Sequence, residues 1–296
     1  MKNIGLIGAG VMGLTIAEKI IAAGNSLLVY DAFPAAIEKA KKLGAIPVHS
    51  PAEMAAKADI VILSLPGPRE VAISVTGENG LLAGAKAGMV IVDMSTVEPA
   101  GTQKLAQQAL AKGVGYLDAP ILGRPATVGK WALPVGGKEG DLEKCTNLFK
   151  LFAAHVIHIG PPGSGNKVKL LNQLMFGAIN AMTAEMMAIS KAMGISPKLL
   201  YDTITASQAG TVSNLFKELG QRVSDERYTE PTFTVDLLIK DVRLGVEMAK
   251  AHNAPPVVAR SVESLNEIAK AQGYGSDDTS IMWKSYHKIW GQKSVI

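Results

Sequence analysis

The stretch Lys2-Asn3-Ile4-Gly5-Leu6-Ile7-Gly8-Ala9-Gly10-Val11-Met12-Gly13-Leu14 governs how the rest of the chain is read. Lys2 to Ile7 is a short, largely apolar run that reads as a strand. Three glycines follow in the spacing G-x-G-x-x-G, and Leu14 to Ala23 then places Ile16, Ile20 and Ile21 at helical intervals. Ser26 to Tyr30 reads as a second strand. This glycine spacing is weak alone and gains its meaning from a strand-turn-helix-strand unit of about thirty residues. Gly8 permits the tight turn, Gly10 lets the backbone approach a pyrophosphate, and Gly13 lets the helix pack close to the strand. The helix N-terminus adds N–H groups and partial positive charge for the phosphates. Gly8, Gly10, Val11, Met12 and Gly13 are therefore expected to bind a dinucleotide. Asp31 ends the second strand, eighteen positions after Gly13. A carboxylate there accepts hydrogen bonds from the adenosine ribose and repels a 2′-phosphate. Ala32, Phe33 and Pro34 follow without an arginine, so NAD is expected over NADP.

The alternation continues outward. Ala35 to Leu43 reads as a helix, and Ile60 to Leu65 as an apolar run ending at Pro66. Met89 to Asp93 is another such run. Both fit strands buried on both faces of a parallel sheet. Leu65 and Pro66 at the end of the first run are expected at the cofactor. Leu105 to Lys112 reads as a helix and Gly115 to Leu117 as a short strand. The pattern changes at the breaker cluster Gly160-Pro161-Pro162-Gly163-Ser164-Gly165. A long helical pattern then runs from about Asn166 to Met193 and stops at Gly194. Pro197 to Thr205, Leu237 to His252 and Val257 to Gln272 follow as helices. The expected fold class is α/β: an N-terminal Rossmann-type doubly wound sheet over 1–162, then an all-helical domain over 163–296.

Composition narrows the function classes. The chain has 296 residues, 48% hydrophobic and 19% charged, which excludes a disordered chain. Thirty basic residues oppose 26 acidic ones, a net charge of +4 without clustered basic runs. That argues against a nucleic-acid partner and suits a small anionic substrate. Cys145 is the only cysteine, so no intrachain disulfide forms, and it reads as a small buried residue. The start lacks a signal-peptide pattern and no run approaches a membrane span, so a cytoplasmic setting is expected. His155 and His158 lie three apart and would face opposite sides of a strand, and no spacing suggests a metal site.

After Gly163-Ser164-Gly165, one helix carries Lys169, Asn172 and Gln173 on a shared face. A solvated polar stripe accounts for this equally simply, and Lys167 lies nearby. The functional alternative is chemical. Interconverting an alcohol and a carbonyl by hydride transfer needs a proton acceptor in one direction and a donor in the other. Desolvation of a lysine disfavours its charged form and suits it to that task.

Taken together, the chain resembles the β-hydroxyacid dehydrogenases over nearly its whole length. The resemblance rests on Gly5 to Gly13, Asp93-Met94-Ser95-Thr96, Asp118-Ala119-Pro120, Gly163-Ser164-Gly165 with Lys169 and Asn172-Gln173, and Asp236-Leu237 with Lys240-Asp241. It implies that Lys169 is the general acid and base and that Asn172 and Gln173 flank it at the substrate. It implies that Ser95 and Thr96 lie beside the nicotinamide and that Lys240 nears cofactor and substrate. It also implies a homodimer or homotetramer formed through the helical domain. The implied activity interconverts a small 3-hydroxy acid, or a related anionic alcohol, and its semialdehyde.

One loop departs from the family. Its usual Asp-Ala-Pro-Val-Ser-Gly-Gly is here Asp118-Ala119-Pro120-Ile121-Leu122-Gly123-Arg124-Pro125. Leu122 lacks the hydroxyl, and Arg124 adds a planar fork of donors suited to carboxylate, sulfonate or phosphate. Leu122, Gly123 and Arg124 are expected to bind substrate, with Arg124 either clamping the acid group or facing solvent. Trp131 is expected in the core. The loop Ser207-Gln208-Ala209-Gly210 is a weaker pocket candidate, and the aromatic tail Trp283 to Trp290 docks at home or on a partner subunit. An imine reductase and a non-catalytic dinucleotide-binding module are the alternatives. Retention of Lys169 and the lack of a basic appendage argue against them.

Overall fold

The computed structural model describes residues 3–206, 213–254 and 256–291. The chain divides into two compact units, Met1–Lys169 and Leu170–Ile296.

The first unit alternates strands and helices. Strand β1 (Ile4–Ile7) leads through helix α1 (Val11–Ala22) to β2 (Leu27–Tyr30), and α2 (Pro34–Lys42) leads to the short β3 (Ile46–Pro47). Helix α3 (Pro51–Lys57) then returns the chain to β4 (Ile60–Leu63). Helices α4 (Pro68–Thr76) and α5 (Leu81–Gly84) precede β5 (Val90–Asp93), and α6 (Pro99–Leu110) precedes β6 (Gly115–Asp118). Strand β7 (Trp131–Gly136), α7 (Glu139–Phe149) and β8 (Ala153–Gly160) complete the sheet. Its order is β3-β2-β1-β4-β5-β6-β7-β8. The direction of winding reverses between β1 and β4, the switch point at which doubly wound sheets bind ligands.

Every residue of β1, β4 and β5 is buried, because helices cover both faces. Alternate side chains feed two cores. Leu6, Ile62 and Val92 join one, with Trp131 and Phe149, while Ile7, Val61, Leu63 and Ile91 join the other. Cys145 is fully buried in the first. The sheet departs from a purely parallel pattern, since β7 pairs antiparallel with β6 and parallel with β8. Strand β7 escaped the sequence reading because Pro134 sits within it. Helix α6 begins six residues earlier than Leu105, with Pro99 in its first turn, where the missing N–H costs nothing.

Strand register aligns Ile7, Leu63, Asp93 and Asp118 across the carboxyl end of the sheet. Asp93 and Asp118 are both fully buried. Asp93 accepts hydrogen bonds from Ser95 N–H (2.9 Å) and the Tyr116 hydroxyl (3.1 Å). Asp118 accepts from Gly163 N–H and Asn166 N–H, each at 2.8 Å. These are amides at the start of α8 (Ser164–Ala192), so a carboxylate caps the positive end of that helix. Burial pushes both carboxyls up to about 6, although their hydrogen bonds work in the opposite direction.

The second unit is helical. Helix α8 ends before Gly194, whose φ of +80° turns the chain. Helices α9 (Pro197–Ala206), α10 (Asn214–Ser224), α11 (Val235–Ala251), α12 (Val257–Ala269) and α13 (Met282–Ile289) follow. Ser213 and Thr234 cap α10 and α11 through their side chains. Among the described residues of this unit β-structure is limited to a bridge between Thr234 and Asp278. Met187, Phe216, Val235, Trp283 and Tyr286 share one core, so the aromatic tail packs into its own chain at Trp283 and Tyr286. Asp278 is fully buried and accepts from Thr232 N–H (2.9 Å) and the Ser280 hydroxyl (2.7 Å), with Arg222 Nε 3.1 Å away. Burial alone would raise its pKa, but these hydrogen bonds and the guanidinium outweigh it and hold the carboxyl below its ordinary value. Among the described residues no helix is long and apolar enough to cross a membrane.

Asp93 and Asp118 have folded-state values above their unfolded ones, so the native state binds protons more tightly. Their ionisation destabilises the fold fully above about pH 6, and this cost fades as pH falls towards 4. The melting temperature of the N-terminal unit should rise a few degrees between pH 7 and pH 5, as about 1–2 kcal/mol would produce. Asp93→Asn should remove about half of that rise in scanning calorimetry, leaving the part due to Asp118. Asp278→Ala leaves Arg222 buried without its counter-charge and should cost about 3–5 kcal/mol in urea titrations. An unchanged midpoint would contradict the role given to this pair.

Candidate functional site

The glycine loop bridges β1 and α1 at the switch point. Gly8 has φ of +96°, and a Cβ there would run into the Ser64 carbonyl oxygen. A Cβ on Gly13 would run into the Gly8 carbonyl oxygen. These two glycines are therefore demanded by the packing of the loop itself. Gly10 differs, because a Cβ there meets nothing within 4 Å. It is the N-cap of α1, and no side chain caps the helix. The amides at this end lie beside open space, the setting in which a helix N-terminus can receive an anion. Val11 is 65% exposed at the first helical position, whereas Met12 packs on the core.

Asp31 braces this loop. Its Oδ2 accepts from Ala9 N–H (2.7 Å), and its Oδ1 accepts from Phe33 N–H (2.8 Å). The half-buried carboxylate thus fixes both the glycine loop and the turn after β2. Ser95 does similar work at the next strand ends. Its hydroxyl accepts from Leu65 N–H (3.0 Å), tying the turn after β4 to the turn after β5. Ser95 is buried, Thr96 and Leu65 are half-buried, and Pro66 is exposed. Gly8, Asp31, Leu65 and Ser95 are thereby linked into one rim at the carboxyl edge of the sheet.

The loop after β6 carries the family departure. Leu122 exchanges backbone hydrogen bonds with Ala132 (2.9 and 3.2 Å). Gly123 lies so close to the Trp131 ring that a Cβ would collide with it. The indole N–H of Trp131 donates to the Arg124 carbonyl (2.8 Å), and Thr127 closes the turn on the same oxygen. Trp131 is thus both a core residue and the anchor of this loop. Arg124 is half-buried.

Lys169 reaches this loop. Its Nζ donates to the Ile121 carbonyl at 2.9 Å. Helix α8 supplies it from its sixth residue, close to the end capped by Asp118. Asn166, fully buried, pins that end further. Its Oδ1 accepts from Val97 N–H (3.4 Å) and its Nδ2 donates to the Thr102 hydroxyl (3.3 Å). Sequence reasoning missed Asn166, and no local pattern marks a residue whose partners lie about sixty positions away.

The helical unit holds a second polar group. Asn172 Nδ2 donates to Gln173 Oε1 (3.2 Å), and Gln173 Nε2 donates to Asp241 Oδ2 (2.6 Å). Lys240 Nζ lies 2.7 Å from Asp241 Oδ1. Asn172, Gln173 and Lys240 therefore gather around Asp241, which the sequence places in a family motif without a role of its own. Ser207 to Gly210 lies outside the described residues. His158 contacts the Gly137 carbonyl (2.8 Å), and no group of three metal-ligating side chains occurs among the described residues.

Comparison with known proteins bears on both units. Residues 3–160 match the family described as the NAD binding domain of 6-phosphogluconate dehydrogenase. Residues 163–286 match the family described as NAD-binding of NADP-dependent 3-hydroxyisobutyrate dehydrogenase. The 2-(hydroxymethyl)glutarate dehydrogenase of Eubacterium barkeri is 30% identical, covering 98% of this chain and 96% of its own. An NAD-dependent L-serine dehydrogenase of Pseudomonas aeruginosa is also 30% identical, covering 99% of this chain and all of its own. A crystal structure of 3-hydroxyisobutyrate dehydrogenase from Salmonella typhimurium superposes with a TM-score of 0.89 at 28% identity, over 96% of this chain and 99% of that one. With a nicotinamide-dinucleotide-binding sheet unit, a helical unit and relatives matched along their full lengths, the chain belongs to the β-hydroxyacid dehydrogenase family.

Proposed function

We propose that the chain is an NAD-dependent oxidoreductase that interconverts a small 3-hydroxy acid, or a related anionic alcohol, and its semialdehyde. Lys169 is its general acid and base. The observation that carries this proposal is the 2.9 Å contact between Lys169 Nζ and the Ile121 carbonyl. It sets an ammonium group on the loop that follows β6, at the same carboxyl edge as the glycine loop. The bound nicotinamide supplies or accepts the hydride. In reduction, the Lys169 ammonium gives its proton to the oxygen that becomes the alcohol. In oxidation, the neutral amine takes the hydroxyl proton.

The substrate's acid group is assigned to Leu122, Gly123 and Arg124. The pinning of the Arg124 carbonyl by Trp131 supports this, because a fixed backbone limits where the guanidinium reaches. Asn172 and Gln173 are assigned to the alcohol end. Relatives named for 2-(hydroxymethyl)glutarate and for L-serine support a small acid that bears an alcohol. Ser95 and Thr96 are assigned to the nicotinamide side of the cofactor, with Leu65, Pro66 and Lys240. Preference for NAD rests on Asp31, whose carboxylate is held in place by two amides and repels a 2′-phosphate. The domain over 163–296 is assigned substrate binding and assembly as a homodimer or homotetramer. Leu171, Met175 and Met182, exposed along one face of α8, support the assembly.

Lys169→Ala should lower kcat/KM on a hydroxy-acid and semialdehyde panel by about a hundred- to ten-thousandfold. NADH affinity, read by fluorescence titration, should stay near that of the parent. Full turnover in this variant would end the acid-base assignment. Asp31→Ser should narrow the NADH over NADPH preference by about tenfold in kcat/KM. It should also weaken both cofactors, since the Ala9 amide loses its acceptor. A parent enzyme that prefers NADPH would reverse the cofactor assignment.

A further inference from the structure

The polar side chains around Asp241 form a directed chain of hydrogen bonds. Gln173 and Asp241 are 5% and 2% exposed, whereas Asn172 is exposed, so the chain runs from a buried anion to the surface. Its direction follows from donor and acceptor chemistry. An ionised carboxylate only accepts. Gln173 must therefore turn its NH2 group to Asp241, as its 2.6 Å contact records. Its carbonyl oxygen then faces Asn172, which answers with Nδ2 at 3.2 Å. Asn172 is left presenting Oδ1 on the other side of its amide. Without a charged neighbour, two linked carboxamides have a second orientation of similar energy, with every donor and acceptor exchanged. The Lys240 ammonium, 2.7 Å from Asp241 Oδ1, supplies the positive partner that a buried carboxylate needs.

We propose that Asp241 is a positioning residue that sets the amide polarity of Gln173 and Asn172. It thereby presents the Asn172 carboxamide oxygen as an acceptor for the hydroxyl of the substrate, and it holds the Lys240 ammonium in one place. This rests on the hydroxy-acid chemistry proposed above. A substrate with a hydroxyl donor is favoured at this position over one that offers only an acceptor.

Donor-acceptor exchange tests the proposal. D241N preserves shape but lets residue 241 both donate and accept. Its kcat/KM for the hydroxy acid should fall about ten- to a hundredfold, as expected for loss of hydrogen bonds to a charged group. The double variant D241N/Q173E reverses donor and acceptor at the 173–241 contact while keeping net charge. Asn172 again faces a carbonyl-type oxygen, so most of the lost kcat/KM should return. A merely structural role would not be rescued by this exchange. D241N activity within about twofold of the parent would overturn the proposal, as would a folded double variant no better than D241N.

Selective 15N-glutamine labelling reads the same bond without turnover. The Gln173 side-chain amide protons should exchange slowly in the parent and rapidly in D241N, and equal rates would overturn the proposal. Failure of the hydroxy-acid chemistry itself would show instead as no turnover by the parent enzyme, and the exchange rates would then decide on Asp241 alone.

Discussion

The carboxylate of Asp118 against the first amides of α8 is the contact on which the site depends. It lies at the last residue of β6 and accepts from Gly163 and Asn166 at 2.8 Å each. A buried anion of this kind is tolerated because a helix N-terminus supplies both donors and partial positive charge. The approach is close. A Cβ on Gly165 would lie 2.6 Å from the Asp118 carbonyl oxygen, which explains a glycine in the first turn of a helix, where that residue is intrinsically poor. Lys169 follows three residues after Asn166, the second amide that Asp118 holds, so it has little room for play. The position of the ammonium is thus an inheritance from the sheet, transmitted through one capped helix end.

The remaining rim is built by mutual bracing. Asp31 holds Ala9, Ser95 holds Leu65, and Trp131 holds Arg124. Each contact joins a loop to the end of a neighbouring strand or turn. Loops fixed in this way lose less conformational freedom when a ligand arrives, so more of the contact energy is expressed as affinity. The same side chains that would meet a ligand also stabilise the empty framework. Substitution at Asp31 or Ser95 consequently changes loop geometry.

The sheet unit was legible wherever residues repeat at the period of a strand or helix. The glycine loop, β1, β4, β5 and Asp31 are local patterns, and fully buried strands betray themselves as unbroken apolar runs. Strand β7 was hidden by Pro134, and α10 by the shortness of its amphipathic run. The start of α6 was hidden because a proline reads as a stop before it reads as a first turn. At the site, Lys169 stood out through resemblance, since its helix alone fits a solvated stripe equally well. The roles of Asn166, Asp241 and Asp278 were illegible for one common reason. Each is a polar residue satisfied by partners distant in sequence, and no periodicity encodes such pairs.

The three glycines of the first turn do not carry equal historical weight. Gly8 and Gly13 are locked by neighbouring carbonyl oxygens, whereas Gly10 borders empty volume. A descendant that abandoned its dinucleotide would still keep the outer two, because the turn cannot close otherwise. Only the middle one would drift, since folding exerts no hold on it. In a lineage that diverges from this chain, residues 8 and 13 therefore record ancestry of shape, while residue 10 is left to whatever else the loop must meet.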